Sequence, residues 1–186
     1  MNLPGRGAAW RAPAEAGLLA MVVALAGCSN SSTSQRASTP SRQPASTPAS
    51  PPAPADSCAV ITRAQAAHAL GHAVGAPVRG RATVEGGVAC VYYGPGAPAR
   101  ANPDVPLSDS VRVVLVRGAQ AKGLFNDYRA RVSAQPIAGL GDQAYYDGYA
   151  SLSVLKGDAY VRIAVIGVPD VVGAEEQLAA KALPRM

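Results

Sequence analysis

Two histidines, His68 and His72, stand four residues apart. That is the spacing at which two imidazoles on one helix face hold a zinc ion. Gly71 falls between them and stops a helix there, and the nearest downstream carboxylate is Glu85. The three or four ligands that zinc requires are not assembled, so the pair reads as a solvated helix end and no metal is expected. A nucleophile elbow, Gly-x-Ser-x-Gly, does not occur. A phosphate-cradling glycine loop is also missing. Gly139-Leu140-Gly141 reads as a bend before a strand, and Asp142 beside it as a residue that bonds its own turn. No catalytic residue and no cofactor is expected. Tyrosine is the unusual concentration. Tyr92, Tyr93, Tyr145, Tyr146 and Tyr149 are five of the seven in the chain. Adjacent strand residues point to opposite faces, so one member of each adjacent pair is expected in the core. The other is expected to be exposed or to line a groove, where an amphipathic ring contacts a ligand or a partner. These five are the candidate contact residues. The competing reading is cross-strand packing on the sheet.

The elements that position them begin after residue 56. Upstream, Arg6 and Arg11 precede an apolar run from Leu18 to Ala26. Its nine residues fall short of the ~20 that cross a hydrocarbon core and suit a signal peptide. The run ends in Leu25-Ala26-Gly27-Cys28, which resembles the lipobox of bacterial lipoproteins. The resemblance implies a signal peptide over 1–27, a diacylglycerol on the Cys28 thiol, and cleavage before that residue. The acyl chains then anchor the protein to the membrane, each buried CH₂ contributing ~0.8 kcal/mol. Residues 29–56 are dominated by Ser, Thr, Pro and Ala, with no Val, Ile, Leu or aromatic. Such a segment cannot bury enough apolar area to offset its ordering entropy. With Cys28 it forms a lipidated, disordered tether over 28–56, reaching roughly 30 Å as a coil and about 85 Å as polyproline II.

The folded domain is expected over 57–186. Its two cysteines, Cys58 and Cys90, lie in an exported chain, where thiols pair. One disulfide is expected, closing a loop worth about 3–4 kcal/mol. Thr62 with Gln65 makes a capping box for an Ala-rich helix over Arg63–Leu70, stopped at Gly71. Gly75, Pro77 and Gly80 then break the chain. Strands follow at Val88–Tyr93 and Ser110–Arg117. Between them runs a loop over 94–109 with four prolines, long enough to carry function. Ala121, Leu124, Phe125 and Tyr128 have helical spacing. Two hairpins then run through Gln143–Tyr146, Ser151–Lys156 and Ala159–Gly167, and a helix over Val171–Leu183 closes the chain. The order α, β, β, α, β, β, β, α predicts an α+β fold: a mostly antiparallel sheet with helices packed on one face.

Apolar residues make up 48% of the 186 and charged residues 16%. The charged share is well below the ~25% of an average soluble domain. The net charge of +5 is scattered, without the clustered Lys and Arg of a nucleic-acid surface. No nucleic-acid partner is expected.

Three phrases carry a resemblance. They are Ser57-Cys58-Ala59-Val60-Ile61-Thr62, Ala89-Cys90-Val91-Tyr92, and Ile137 to Tyr146 with Gly139-Leu140-Gly141-Asp142 at its centre. With the lipobox and tether, the chain resembles small cell-envelope lipoproteins of actinobacteria, of the mycobacterial and streptomycete type, whose globular part has no assigned function. The resemblance implies an exported, anchored domain and carries over no catalytic residue. The expected function is a noncatalytic binding or interaction module on the extracytoplasmic face of the cell membrane. Its expected partner is an apolar ligand or an envelope protein. The alternatives are an envelope-acting hydrolase and a purely structural lipoprotein.

Overall fold

The computed structural model describes residues 55–98 and 100–186. The expected signal peptide over 1–27, the expected lipidation site Cys28 and the expected tether up to residue 54 lie outside the described residues. The elements are α1 (Arg63–Leu70), β1 (Val78–Ala82), β2 (Gly87–Tyr93), β3 (Ser110–Arg117), α2 (Ala121–Arg129), β4 (Gln135–Ile137), β5 (Gln143–Tyr146), β6 (Leu152–Lys156), β7 (Ala159–Ile166) and α3 (Val171–Ala182). The seven strands form one sheet in the order β1-β2-β3-β7-β6-β5-β4, with every neighbouring pair antiparallel. The class is α+β, as the element order predicts. Two meanders meet at the central pair β3 and β7, and α2 carries the chain from β3 to the far edge.

Local chemistry sets most of these bounds. Thr62 Oγ1 accepts from the Gln65 N–H at 3.2 Å, and Gln65 Oε1 accepts from the Thr62 N–H at 2.8 Å. Together they start α1 with a complete capping box. Gly71, at φ 77°, ends it. Two strands carry a residue that commonly breaks one. β1 contains Gly80, where a Cβ would fall 2.6 Å from Pro103 Cγ. Glycine is required there because the 94–109 loop lies on the strand. β4 contains Pro136, which an edge strand tolerates because one row of its N–H groups has no partner strand.

The helices lie on both faces of the sheet, which corrects the one-face expectation. The first face carries Cys90, Tyr92, Val111, Val113, Leu115, Val161, Ile163 and Val165, packed under Ala66 and Leu70 of α1 and Leu178, Ala179 and Ala182 of α3. The second face carries Val91, Tyr93, Val114, Val116, Tyr145, Leu155 and Tyr160. Ala121 and Phe125 of α2 cover part of it, and Leu107 of the long loop packs beside them. The reason is visible in β3 and β7. Both carry apolar residues on both sides, so water must be excluded from both.

A 3-10 turn, Ser57–Ala59, locks the start of the domain to the sheet. Its Cys58 is disulfide-bonded to Cys90 of β2, with the Cα atoms 5.2 Å apart. Buried Ser57 bridges two strands where their ladder ends at Ala89 and Val114. Its hydroxyl donates to the Val88 carbonyl and accepts from the Leu115 N–H at 2.8 Å. At the other end, β6 starts opposite Ile163, so it does not extend far enough to take the Val165 N–H. Glu175 of α3 accepts that N–H at 3.0 Å instead. The Glu175 side chain is fully buried and its second oxygen has no partner among the described residues. Burial is the main reason its pKa is pushed up to about 8; the Val165 N–H and Arg162 pull it down, and Asp147 adds to the rise.

Two outcomes are expected in urea titrations. Replacing both Cys58 and Cys90 with Ala costs about 2–5 kcal/mol. A carboxyl whose folded pKa is raised penalises the fold once the unfolded chain ionises. That penalty grows from about pH 4.5 up to about pH 8 and is flat above. The stability of Glu175→Gln relative to wild type therefore rises across that window; a difference independent of pH contradicts the assignment.

Candidate functional site

The two central strands place an arginine among apolar neighbours. Arg112 of β3 faces Ala164 of β7, and Arg162 of β7 faces Val114 of β3. The two guanidiniums are therefore diagonal neighbours on the second face of the sheet. Buried cations require partners. Glu85, from the β1–β2 hairpin, enters between them. Arg112 donates to both Glu85 oxygens, at 2.7 and 3.1 Å, and Arg162 donates to Oε1 at 2.9 Å. The Glu85 side chain is 1% exposed. Burial acts to raise its pKa. The Arg112 hydrogen bonds and the two guanidinium charges outweigh burial and hold it below the ordinary carboxylate range.

The network extends to two more loops and one helix. Arg112 Nε donates to the Pro103 carbonyl at 2.9 Å, which ties down the 94–109 loop. Asp104 of that loop accepts the Thr83 N–H at 2.8 Å. Arg162 Nε donates to Ser151 Oγ at 2.7 Å. Its plane lies over the Tyr128 ring of α2, 3.9 Å from the centroid, and it donates to the Tyr128 hydroxyl. Tyr128 in turn donates to Asp147 at 3.0 Å. Asp147 Oδ1 accepts the N–H groups of Tyr149, Ala150 and Ser151 at 2.8–3.0 Å, which shapes the β5–β6 turn. Burial acts to raise the Asp147 pKa, but the Ser151 hydroxyl and these three N–H groups bring it below its usual value. Around these groups lies a cleft of about 240 Å³, floored by Arg112 and Arg162 and walled by Asp104, Pro106, Tyr128 and Tyr149.

The tyrosines singled out in the sequence separate. Tyr92 is buried on the first face and donates to the Ile61 carbonyl. Tyr93 is also buried, on the second face, because the sheet is covered on both sides. One of that pair was expected outside. Tyr145 is buried beside Phe125, ring centroids 5.0 Å apart, and its hydroxyl donates to the Phe125 carbonyl. Tyr146 is half-buried. Tyr149 is 89% exposed and stands at the cleft. Nothing in the sequence marks the network residues Glu85, Arg112, Tyr128, Asp147 and Arg162 as one site. The available signal was an arginine in the middle of each otherwise apolar central strand. Its carboxylate partners lie 27 and 15 residues away in loops that no periodicity connects.

The histidines do not converge. His68 is exposed on α1. His72 turns away, its Nε2 2.7 Å from Asp109 Oδ1. The Ala73 carbonyl first, then Asp109, raise the His72 pKa. Among the described residues, no group of three or more His, Cys, Asp and Glu is placed to hold a metal ion. A second concavity of about 580 Å³ lies between α1 and α3, lined by Ala64, Ala69, Leu178 and Ala180 with Gln65, His68, Gln177 and Lys181. It is larger than the cleft but holds no buried charged group. Among the described residues, no helix is long and apolar enough to cross a membrane. No protein-family model, no curated protein and no solved structure matches the chain.

Glu85→Ala leaves two buried guanidiniums without their shared carboxylate and is expected to cost about 3–5 kcal/mol. Replacing all three members with apolar residues (Glu85→Leu, Arg112→Met, Arg162→Met) is expected to cost less than that single change. Urea titration at pH 7 separates the two; a triple variant much less stable than Glu85→Ala contradicts the account.

Proposed function

We propose that this chain is a noncatalytic interaction module, held on the extracytoplasmic face of the cell membrane by a lipid on Cys28. It is of the kind seen in small actinobacterial envelope lipoproteins. The lipobox-like Leu25-Ala26-Gly27-Cys28 and a disulfide, which belongs to oxidising compartments, support the location. One observation carries the interaction reading. Three loops converge on the charged cleft, and each carries an exposed apolar side chain. Val84 is 48% exposed and Tyr149 89%, and both line the cleft. Val105, 51% exposed, lies in sequence between Asp104 and Pro106, two residues that line it. Scattered exposed apolar residues are ordinary. Three gathered from separate loops over a rigid base are the arrangement of a binding surface.

A second reading is favoured by the α1–α3 groove, whose alanine and leucine lining and polar rim suit an apolar ligand.

The test replaces Val84 with Ser, Val105 with Ser and Tyr149 with Ala in the full chain, expressed with export and cross-linked in the envelope. Each change is expected to move stability by no more than about 0.5 kcal/mol. Recovery of whatever the wild type captures is expected to fall at least fivefold, while Cys28→Ala moves the chain out of the membrane fraction. Equal recovery by the triple variant overturns the interaction reading, and membrane retention of Cys28→Ala overturns the anchor.

A further inference from the structure

We infer that the charged cleft accepts a sugar ring of a neutral carbohydrate, an inference that rests on the loop face being a binding surface. Charge comes first. The cleft sets two guanidiniums, Arg112 and Arg162, against three carboxylates, Glu85, Asp104 and Asp147. Arg81 adds its charge beside Asp104, so an incoming phosphate, sulfate or carboxylate finds guanidiniums already neutralised by carboxylates and no positive excess to hold it. A cation finds two of the three carboxylates fully engaged, and the third, Asp104, already bonded to the Thr83 N–H and beside the Arg112 and Arg81 charges. Glu85 is held by both arginines, and Asp147 by three backbone N–H groups, Ser151 and Tyr128. The floor is thus complementary to a ligand without net charge.

Hydrogen-bonding capacity comes second. A guanidinium has five N–H donors. Among the described residues, Arg112 spends Nε on the Pro103 carbonyl and one N–H at each terminal nitrogen on Glu85, with Asp104 3.6 Å from Nη2. Arg162 spends Nε on Ser151, Nη1 on Glu85, and Nη2 on Tyr128 and Asp147. Each keeps one Nη1 N–H. Asp104, with its side chain 24% exposed, presents an acceptor from the wall. Donors and an acceptor within one small cleft match hydroxyl groups, which donate and accept at once. They do not match an apolar chain.

Shape comes third. Tyr149 holds an almost fully exposed ring at the mouth, and its turn is fixed by three N–H bonds to Asp147. An exposed aromatic face on a fixed turn, beside buried polar groups, suits the C–H face of a sugar ring, whose hydroxyls then point to the floor. A cleft of about 240 Å³ holds a ring and not a long chain.

The full lipidated chain, in a detergent without a sugar headgroup, is titrated with neutral hexose and pentose oligosaccharides. Uronic-acid and sulfated forms of the same oligosaccharides are run beside them. At least one neutral oligosaccharide is expected to bind saturably, with its charged counterparts at least tenfold weaker. Tyr149→Ala is expected to weaken binding at least tenfold. Tyr149→Phe, which keeps the ring, stays within about threefold. Binding of charged forms as tight as neutral ones, an unchanged affinity in Tyr149→Ala, or no neutral oligosaccharide bound overturns the inference. If no sugar binds while the Val84/Val105/Tyr149 variant still loses captured material, the sugar inference alone falls. If that variant also captures as wild type does, the loop-face reading falls with it.

Discussion

A single carboxylate, Glu85, sits buried between two guanidiniums in the centre of the sheet, and the second face of the molecule is organised around it. Arg112 and Arg162 belong to the two central strands, so their positions are set by the sheet. Glu85 belongs to a hairpin, and its two arginine partners fix where that hairpin lies. The same arginines hold the 94–109 loop through Pro103 and the β5–β6 turn through Ser151 and Asp147. A buried ion cluster is weak evidence for stability, since apolar residues of similar volume fill the same space at no greater cost. What this cluster does is join three segments, far apart in sequence, into one surface.

The two faces of the sheet are built on different principles. The first is held by apolar packing under α1 and α3 and by the covalent Cys58–Cys90 link. Its polar exceptions are few and local. Ser57 fills a gap in the ladder between β2 and β3, and Glu175 takes the N–H that β6 does not reach. The second face has one short helix, and a proline-containing loop replaces a second. Phe125 packs on Tyr145 and Tyr160 at ring distances of 5.0 and 5.6 Å, which covers one half. The other half is covered by backbone that must be pinned, and the guanidiniums pin it. The concave, chemically varied region lies where helix cover gives way to loop cover.

Much of the architecture was legible in the residues. The capping box at Thr62 and Gln65, the Gly71 stop and the strand over Ser110–Arg117 are local signals, and the structure repeats them. The Cys58–Cys90 disulfide follows from the parity of the two domain cysteines. The exceptions have physical causes. β1 and β4 carry the glycine and proline that mark turns elsewhere, and both are edge strands, where such residues are tolerated. The helix on the second face was implicit in Val114 and Val116, which required cover from that side. The paired burial of Tyr92 and Tyr93 follows from the same two-sided cover. The site was the least legible part. Arg112 and Arg162 were visible as charges within apolar strands, but their union through Glu85 depends on a register between non-neighbouring segments.

The most direct test of the central claim is backbone hydrogen exchange, comparing wild type with Glu85→Gln at pH 7. If one carboxylate joins the three loops, segments 83–86, 103–107 and 147–151 exchange slowly in the wild type and accelerate together in the variant. Acceleration confined to 83–86, with the other two segments unchanged, would contradict the account.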